Sequence, residues 1–207
     1  MNPRYHINQC GIVILAAGQS KRLGQPKQLL PFGGTALVVR VADAACRIKL
    51  YPVLVVLGAH AEKIQPYLNM PGLKAVVNED WEEGMASSIR IGLAAMDQFY
   101  PHLDGIMFLV CDQPHLDHQL IRDLIELQDE TGKPVTACNY AGKLGTPALF
   151  HKTLFHELMQ LKGDMGARKL LEEMKDDVAM INFEQGSIDI DTLEDYENLI
   201  NPKNGAA

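Results

Sequence analysis

A short apolar strand that runs directly into a glycine-rich, basic loop constrains this chain more than any other feature. Residues 12–31 read IVILAAGQSKRLGQPKQLLP, and the first five are apolar. Such a run suits a buried strand and is far too short for a membrane span. Gly18 and Gly24 then bracket a loop that carries Lys21 and Arg22. Because glycine lets the backbone approach a ligand closely, the segment predicts a site for a polyphosphate.

The distribution of charge supports an anion site near the N-terminus. No Asp or Glu precedes Asp43, whereas five Lys and Arg residues do, although the whole chain has a formal net charge of −7. A positive local field in an acidic protein attracts a small anion without attracting nucleic acid. We therefore expect neither a nucleic acid nor a membrane surface as a partner.

The loop contains neither of the usual nucleotide-binding motifs. Gly18 and Gly24 are six positions apart and Gln25 follows, which breaks the spacing of G-x-x-x-x-G-K-[ST], and G-x-G-x-x-G is also absent. A solvated basic loop after an ordinary strand is the simpler alternative on this evidence alone.

Alternation of apolar runs with amphipathic segments predicts an α/β fold. Strands are predicted at residues 12–16, 52–57, 73–77, 105–110, 135–139, 148–150 and 178–181. Helices are predicted at residues 35–48, 61–67, 85–99, 117–131, 153–161 and 166–174, and from 192 onwards. The alternation predicts a three-layer α/β/α sandwich, Rossmann-like, around a mostly parallel sheet. The length of 207 residues suits a single domain, with its core at about 11–200.

Capping residues predict where several helices begin and end. Thr35 is predicted to cap the first helix and Asp117 the fourth, which Gly132 would end. Thr192 and Asp195 suit a capping box at the start of the last helix.

The carboxyl ends of the predicted parallel strands gather the polar candidates at one edge, where ligands bind in such sheets. The loop at 16–27, the loop at Gly58 and Asp112 all follow predicted strands. Mg²⁺ takes one or two carboxylates together with phosphate oxygens, so Asp112 is a candidate ligand, with a turn-forming aspartate as the alternative. Asp191 follows a strand-like element at 188–190 and is a second candidate, although an acidic residue there also favours the helix dipole.

Two loop-to-helix junctions offer further binding groups. The N–H groups and hydroxyls of GMASS, residues 84–88, could bond a base edge or a phosphate, or form a simple helix cap. Arg168, in GDMGAR at 163–168, could meet a substrate phosphate. Zinc-ligand spacing and the G-x-S-x-G elbow are absent, which leaves zinc chemistry and a hydrolase triad unsupported.

Cysteine usage indicates the compartment. The four cysteines include no C-x-x-C pair, and the apolar run at 12–17 is too short for a signal peptide. We expect reduced thiols and a cytoplasmic protein.

These motifs resemble, in order, those of the nucleotidyltransferase family that attaches a nucleotide to the molybdenum cofactor. LAAGQSKRLGQPKQLLP is similar to its nucleotide-binding motif, GMASS to its second motif and CDQP to its metal-aspartate motif, while GDMGAR and DIDTLEDY match later ones. The resemblance runs over about residues 12–200. It implies a GT-A-like nucleotidyltransferase fold, Mg²⁺ and a nucleoside triphosphate.

The resemblance also implies roles for the residues at matching positions. The implied nucleotide-binding residues are Leu15, Ala16, Ala17, Gly18, Arg22, Lys27, Gly84, Ser88 and Asp112. The implied metal ligands are Asp112 and Asp191, and the implied catalytic residues are Lys27, Arg22 and Asp112.

Within that family the chain is most similar to the cytidylyltransferases. The guanylyl branch typically reads LAGG where this chain has LAAG, and the methyl group of Ala17 would favour the smaller cytosine, hence CTP. The implied reaction transfers CMP to the terminal phosphate of a molybdopterin-type acceptor, with possible transient contact with a molybdoenzyme. Thr146 stands where the family commonly has His, and Leu193 where it usually has Pro. The change at Thr146 concerns the acceptor side more than the chemistry.

Two alternatives stay open. A transferase acting on another small phosphoester, such as a sugar phosphate, would use the same chemistry. A non-catalytic carrier of the finished cofactor would be expected to have lost a metal aspartate or Lys27, and this chain retains them.

Overall fold

The computed structural model describes residues 5–49, 51–140, 142–188 and 190–201, without the side chain of Met165. The strands are β1 (Cys10–Ala16), β2 (Pro31–Phe32), β3 (Thr35–Ala36), β4 (Val53–Leu57), β5 (Leu73–Val77), β6 (Gly105–Val110), β7 (Val135–Tyr140), β8 (Lys143–His151) and β9 (Val178–Asn182). The α-helices are α1 (Leu37–Cys46), α2 (Ala61–Ile64), α3 (Met85–Phe99), α4 (His118–Thr131), α5 (Phe155–Met159), α6 (Arg168–Glu173) and α7 (Leu193–Ile200). Short 3₁₀ turns join several of them.

Seven of the described strands form one mostly parallel sheet in the order β5-β4-β1-β6-β8-β7-β9. Strands β5, β4, β1 and β6 run parallel, and β8 runs antiparallel to both of its neighbours. The central β1 is buried along its whole length, as expected for a parallel strand covered on both faces. The predicted α/β/α sandwich with a mostly parallel sheet is confirmed.

Side chains of β1 alternate between two cores. Ile12 and Ile14 face one cluster with the buried residues of α1 and α4. Val13 and Leu15 face the other cluster with α3, α5 and α6. Because successive side chains of a strand point to opposite faces, a continuously apolar strand is the one that can serve both layers.

Several predicted helix boundaries are confirmed. The Asp117 side chain accepts a hydrogen bond from the backbone N–H of Leu120, and Gly132 ends α4 in the left-handed conformation. Thr192 and Asp195 form the predicted capping box at the start of α7.

Other local predictions were wrong. Thr35 does not cap a helix: it lies in the short strand β3, and α1 begins at Leu37 without a side-chain cap. Ile188 and Ile190 are not in a strand, and Asp189 lies outside the described residues. Ile190 is instead buried against Leu23, Leu30 and Leu37, so its apolar character reflects tertiary packing. The predicted helices at 153–161 and 166–174 are shorter than expected.

None of the helices in the described ranges combines the length and apolar character that crossing a bilayer requires. Cys10, Cys46, Cys111 and Cys138 are all free thiols.

Candidate active site

A cavity of about 600 Å³ opens where β1 and β6 end, at the carboxyl edge of the sheet. The predicted nucleotide- and metal-binding residues that line it are Leu15, Ala16, Ala17, Gly18, Lys27, Gly84, Ser88 and Asp112. Arg22 and Asp191 are not part of its lining, but Asp191 accepts a hydrogen bond from Lys27, which lines the cavity, and Arg22 bonds Asp191. The fold therefore brings segments from three distant parts of the sequence to one site.

The glycine loop is anchored by Gln28, which sequence reasoning did not select. Its side-chain amide donates to the carbonyl groups of Ala16 (3.0 Å) and Gly18 (2.8 Å). The backbone N–H of Lys27 donates to the Ser20 hydroxyl at 3.1 Å and closes the loop. Gln28 is 1% exposed and its Oε1 has no partner among the described residues. No pattern in the sequence marks a glutamine as buried, which is why this anchor was missed.

Four charged side chains converge beside this loop. Lys27 Nζ donates to Asp112 Oδ2 at 2.5 Å and to Asp191 Oδ1 at 3.4 Å. Arg22 Nη2 donates to the other oxygen of Asp191 at 2.6 Å. The two aspartates lie 85 and 164 positions from Lys27 in the sequence, so only the tertiary fold joins them.

The two halves of this charged cluster differ in exposure. The side chains of Lys27 and Asp112 are 17% and 18% exposed, whereas those of Arg22 and Asp191 are 68% and 41% exposed. An exposed pair contributes little to stability because water screens it, whereas removing one member of a shielded pair is costly. We therefore regard Lys27 and Asp112 as the fixed part of the cluster and Arg22 as its adjustable part.

The protonation state of Lys27 follows from these neighbours. Burial alone would lower the pKa of Lys27, but attraction to Asp112, with a smaller contribution from Asp191, outweighs burial and raises the pKa above its ordinary value of 10.5. Lys27 consequently stays positively charged across the physiological range. It is a fixed cation beside the glycine loop.

The donor set fits a hard divalent cation. Asp112 and Asp191 already share one positive charge, the ammonium group of Lys27. Two carboxylates suit Mg²⁺ or Mn²⁺, which complete their coordination with water and phosphate oxygens. Within the described parts of the chain, no three His, Cys, Asp or Glu side chains are grouped as a metal site, so a closed zinc site does not form there.

Gly84 lies where the motif at 84–88 meets the motif at 163–168. Its φ of +114° lies in the region that favours glycine. A Cβ at this position would collide with the carboxylate of Asp164 and lie 2.7 Å from the backbone of Gly163. Both Gly84 and Asp164 line the cavity. The glycine is thus needed for the motifs at 84–88 and 163–168 to approach each other.

Replacing Gly84 by alanine is expected to lower the melting temperature by more than a matched substitution at Gly72. Both glycines have positive φ, but a Cβ at Gly72 would meet nothing within 4 Å. Gly72→Ala therefore measures backbone strain alone, about 1–2 kcal/mol, and Gly84→Ala adds crowding against 163–164. Thermal unfolding followed by circular dichroism would compare them. Equal shifts would contradict the proposed contact between the two motifs.

A second cavity of about 420 Å³ adjoins the first through Met85, Val110 and Asp164, which line both. Two cations line it: Arg168, which pairs with Glu172 at 3.0 Å, and Lys143, which has no ion pair within the described residues. Tyr140 also lines it. The side chain of Tyr140 lies so close to Gly145 that a Cβ there would collide with its hydroxyl. The second cavity thus combines positive charge with an aromatic side chain.

Thr146, which departs from the residue common in the family, lines this second cavity. Its carbonyl group accepts a hydrogen bond of 2.9 Å from Gln113, which directly follows Asp112. Gln113 is buried and joins the segment that carries Asp112 to the wall of the second cavity. His60 lies within hydrogen-bond distance of the Gln19 carbonyl, at 2.8 Å, and does not line the first cavity.

Comparison with known sequences identifies related proteins. A family profile described as the MobA-like NTP transferase domain matches residues 12–178. Nicotine blue oxidoreductase of Paenarthrobacter nicotinovorans is 31% identical over 91% of this chain and 95% of its own length. Purine catabolism protein PucB of Bacillus subtilis is 31% identical over 89% of this chain and 93% of its own length. Molybdenum cofactor guanylyltransferase of Pseudomonas fluorescens is 31% identical over 56% of this chain and 54% of its own length.

Solved structures show the same fold. Rv0371c of Mycobacterium tuberculosis superposes with a TM-score of 0.80 at 33% identity and covers 94% of this chain and 98% of its own. A second structure of Rv0371c, in complex with manganese, has a TM-score of 0.76 at 30% identity and covers 93% of this chain and 98% of its own.

Proposed function

Because the chain belongs to the MobA-like NTP transferase family, we propose that it transfers CMP from CTP to the terminal phosphate of a molybdopterin-type cofactor and releases pyrophosphate. The observation that carries this proposal is the meeting of Lys27, Arg22, Asp112 and Asp191 beside the glycine loop. This cluster provides cations for a triphosphate and carboxylates for a divalent metal in one place.

The proposed reaction is a direct displacement at phosphorus. An oxygen of the acceptor phosphate forms a bond to the α-phosphorus of CTP, and the bond from that phosphorus to the bridging oxygen of the β-phosphate breaks. A phosphate monoester is largely dianionic near neutral pH, since its second pKa is about 6, so it needs no general base. The demand on the protein is alignment and relief of charge repulsion.

Lys27 and Arg22 meet that demand. Lys27 is permanently charged and held beside the loop, which suits stabilisation of the α-phosphoryl group. Arg22 is exposed and, among the residues that the structure describes, bonds Asp191 alone, so it can turn to the departing pyrophosphate. Each cation is held before the reaction by an aspartate, and neither has to be brought in from solvent.

Magnesium is the proposed cofactor, with Asp112 and Asp191 as its protein ligands. Bound there, Mg²⁺ would neutralise charge on the nucleotide oxygens. The manganese complex of Rv0371c, a relative 30% identical to this chain, supports a divalent metal of this type.

The preference for CTP rests on Ala17. Ala17 lines the first cavity, and a Cβ on Gly58 would lie 2.8 Å from its methyl group. Because Ala17 lines the cavity, its methyl group leaves less room there than glycine would. A narrower pocket favours a pyrimidine over a purine.

The second cavity is the proposed acceptor site. It shares Met85, Val110 and Asp164 with the nucleotide cavity, so ligands in the two cavities would lie next to each other. Tyr140 and the apolar side chains suit a flat heteroaromatic ring, while Lys143 and Arg168 suit a phosphate group. The relative named molybdenum cofactor guanylyltransferase, whose match covers about half of each chain, supports an acceptor of this kind.

Replacing Lys143 by methionine is expected to raise the KM for the acceptor about tenfold while leaving the KM for CTP near its original value. The reason is that Lys143 lines the second cavity but not the first, and it has no acidic partner in the described part of the chain. Lys169→Met is the matched control, because Lys169 lines neither cavity and pairs with Glu173 on the surface of α6. Steady-state kinetics with each substrate varied would measure both constants. An unchanged acceptor KM would remove Lys143 from the acceptor site.

Pyrophosphate release tests the proposal as a whole. The assay would be run with CTP, GTP and ATP in parallel, each with and without molybdopterin. Acceptor-dependent release that is fastest with CTP is the expected result. Release driven by a sugar phosphate would support the other acceptor class, and tight binding of the finished cofactor without any release would indicate a carrier.

A further inference from the structure

Asn78 directly follows β5 and forms the centre of a buried hydrogen-bond network. It is 0% exposed. Its Oδ1 accepts from the backbone N–H of Asp80 at 3.0 Å, and a backbone N–H can only donate. The orientation of the amide is therefore determined, and its NH₂ group points to the hydroxyls of Ser87 (2.8 Å) and Ser88 (3.0 Å).

The two serines differ in whether the hydroxyl hydrogen is donated to another group of the protein. Ser87 donates to the carbonyl groups of Asp80 (3.0 Å) and Gly84 (2.9 Å), so its hydrogen is used inside the protein. Ser88 accepts from Asn78, and its hydrogen has no acceptor among the residues that the structure describes. Ser88 lines the nucleotide cavity and Ser87 does not. Asn78 occupies one of the two lone pairs of the Ser88 oxygen from inside the protein, and the hydroxyl hydrogen is left to donate into the cavity.

The charge around Ser88 indicates which part of a nucleotide it meets. The cations lining the cavity, Lys21 and Lys27, both belong to the glycine loop. The wall that carries Ser88 contributes Trp81 and Glu82, and Asp164 lies close to Gly84. Acidic side chains repel a polyphosphate, whereas an indole ring offers a surface on which a base can stack. A neutral base is therefore the better occupant of this wall.

We propose that Asn78 is a positioning residue that orients Ser88 as a hydrogen-bond donor to an acceptor atom of the nucleobase. For cytosine those acceptors are the carbonyl O2 and the ring N3. The inference rests on the proposed function, because it assumes that the cavity binds a nucleoside triphosphate. It adds a residue that contacts no ligand itself and explains how a single serine becomes selective for an acceptor edge.

Binding titrations with CTP and with tripolyphosphate, each with Mg²⁺, test this inference because tripolyphosphate has no base. Ser88→Ala is expected to weaken CTP binding about tenfold, the effect of one lost hydrogen bond, and to leave tripolyphosphate binding unchanged. Asn78→Asp is expected to show the same selective loss, because a carboxylate accepts the Ser88 hydrogen and turns it from the cavity. Asn78→Ala is the second variant if a buried carboxylate prevents folding.

Ser87→Ala is the matched control, since it removes a hydroxyl from the same network but not from the cavity. It is expected to lower the melting temperature while leaving the ratio of CTP to tripolyphosphate affinity unchanged. If Asn78 acts through Ser88, the double variant Asn78→Ala with Ser88→Ala should lose no more CTP affinity than Ser88→Ala alone.

The outcomes separate this inference from the function on which it rests. Equal weakening of CTP and tripolyphosphate in the Ser88 and Asn78 variants would overturn the inference and leave the transferase proposal standing, as would unchanged CTP affinity or additive losses. A wild-type protein that binds neither ligand would overturn the proposed function and the inference with it.

Discussion

Replacing Asp112 by asparagine is expected to remove nearly all magnesium-dependent pyrophosphate release, a loss of about 10²–10³ in rate or more. Asparagine has almost the same shape, and Lys27 keeps its second partner, Asp191, at 3.4 Å, so the fold should be retained. What is lost is one of the two carboxylates proposed to hold the metal. Pyrophosphate release measured across a magnesium titration, with circular dichroism as the folding check, would give the result.

The matched control is Asp43→Asn, which also converts a carboxylate into an amide. Asp43 pairs with Arg47 at 2.8 Å on an exposed face of α1, away from the cavity. Its activity should equal that of the wild type. A rate for Asp112→Asn close to the wild-type rate would exclude Asp112 from the mechanism, and with it the proposed metal site.

Replacing Lys27 by methionine is expected to produce a second loss of about 10²–10³ in rate, but by a different route. Methionine retains the length of the side chain and removes the charge proposed to stabilise the α-phosphoryl group. It also frees Asp112 and Asp191 from their shared cation. The affinity of the protein for Mn²⁺ without nucleotide should therefore be retained or increased while turnover falls, which titration and pyrophosphate release would measure separately.

The pH dependence of the wild type offers a check on the same residue. The raised pKa means that the Lys27 ion pairs contribute stability that is fully present below its ordinary pKa of 10.5 and is lost as the pH rises through the higher folded value. Titration of Lys27 should accordingly not appear in an activity profile between about pH 6 and 9.

For the Lys27→Met experiment, Lys63→Met on the exposed surface of α2 is the control for the loss of a lysine. Loss of Mn²⁺ binding in Lys27→Met would contradict the assignment of the metal to the two aspartates.

Much of the fold could be predicted because the strongest patterns are local. The apolar strands at 53–57 and 105–110 and the helix at 85–99 were found closely, since burial on both faces or on one helical face leaves a direct trace in the sequence. The cap at Asp117 and the capping box at Thr192 also depend on neighbouring residues alone. The predicted helix cap at Thr35 was wrong because Thr35 pairs with Phe32 in a small hairpin, and this pairing outweighs its tendency to cap.

The site could be predicted only as separate pieces. The rule that ligands bind at the carboxyl ends of parallel strands was sufficient to bring the glycine loop and Asp112 together. It gave no distances, and it did not reveal that Lys27 bridges Asp112 and Asp191. Gln28 and Asn78 were not predicted as site residues, because amide side chains are mostly exposed in proteins. Their burial and their hydrogen-bond partners are known only from the structure.

The sequence by itself determined the class of fold, the order of the motifs and the chemical character of each binding segment, because these depend on residues that are adjacent along the chain. Only the tertiary structure decided which charges neutralise one another, which glycines are needed for two motifs to meet, and which hydroxyl keeps a hydrogen to donate. Those properties depend on distances of about 3 Å between groups far apart in the chain, and a hydrogen bond or ion pair weakens sharply beyond that range.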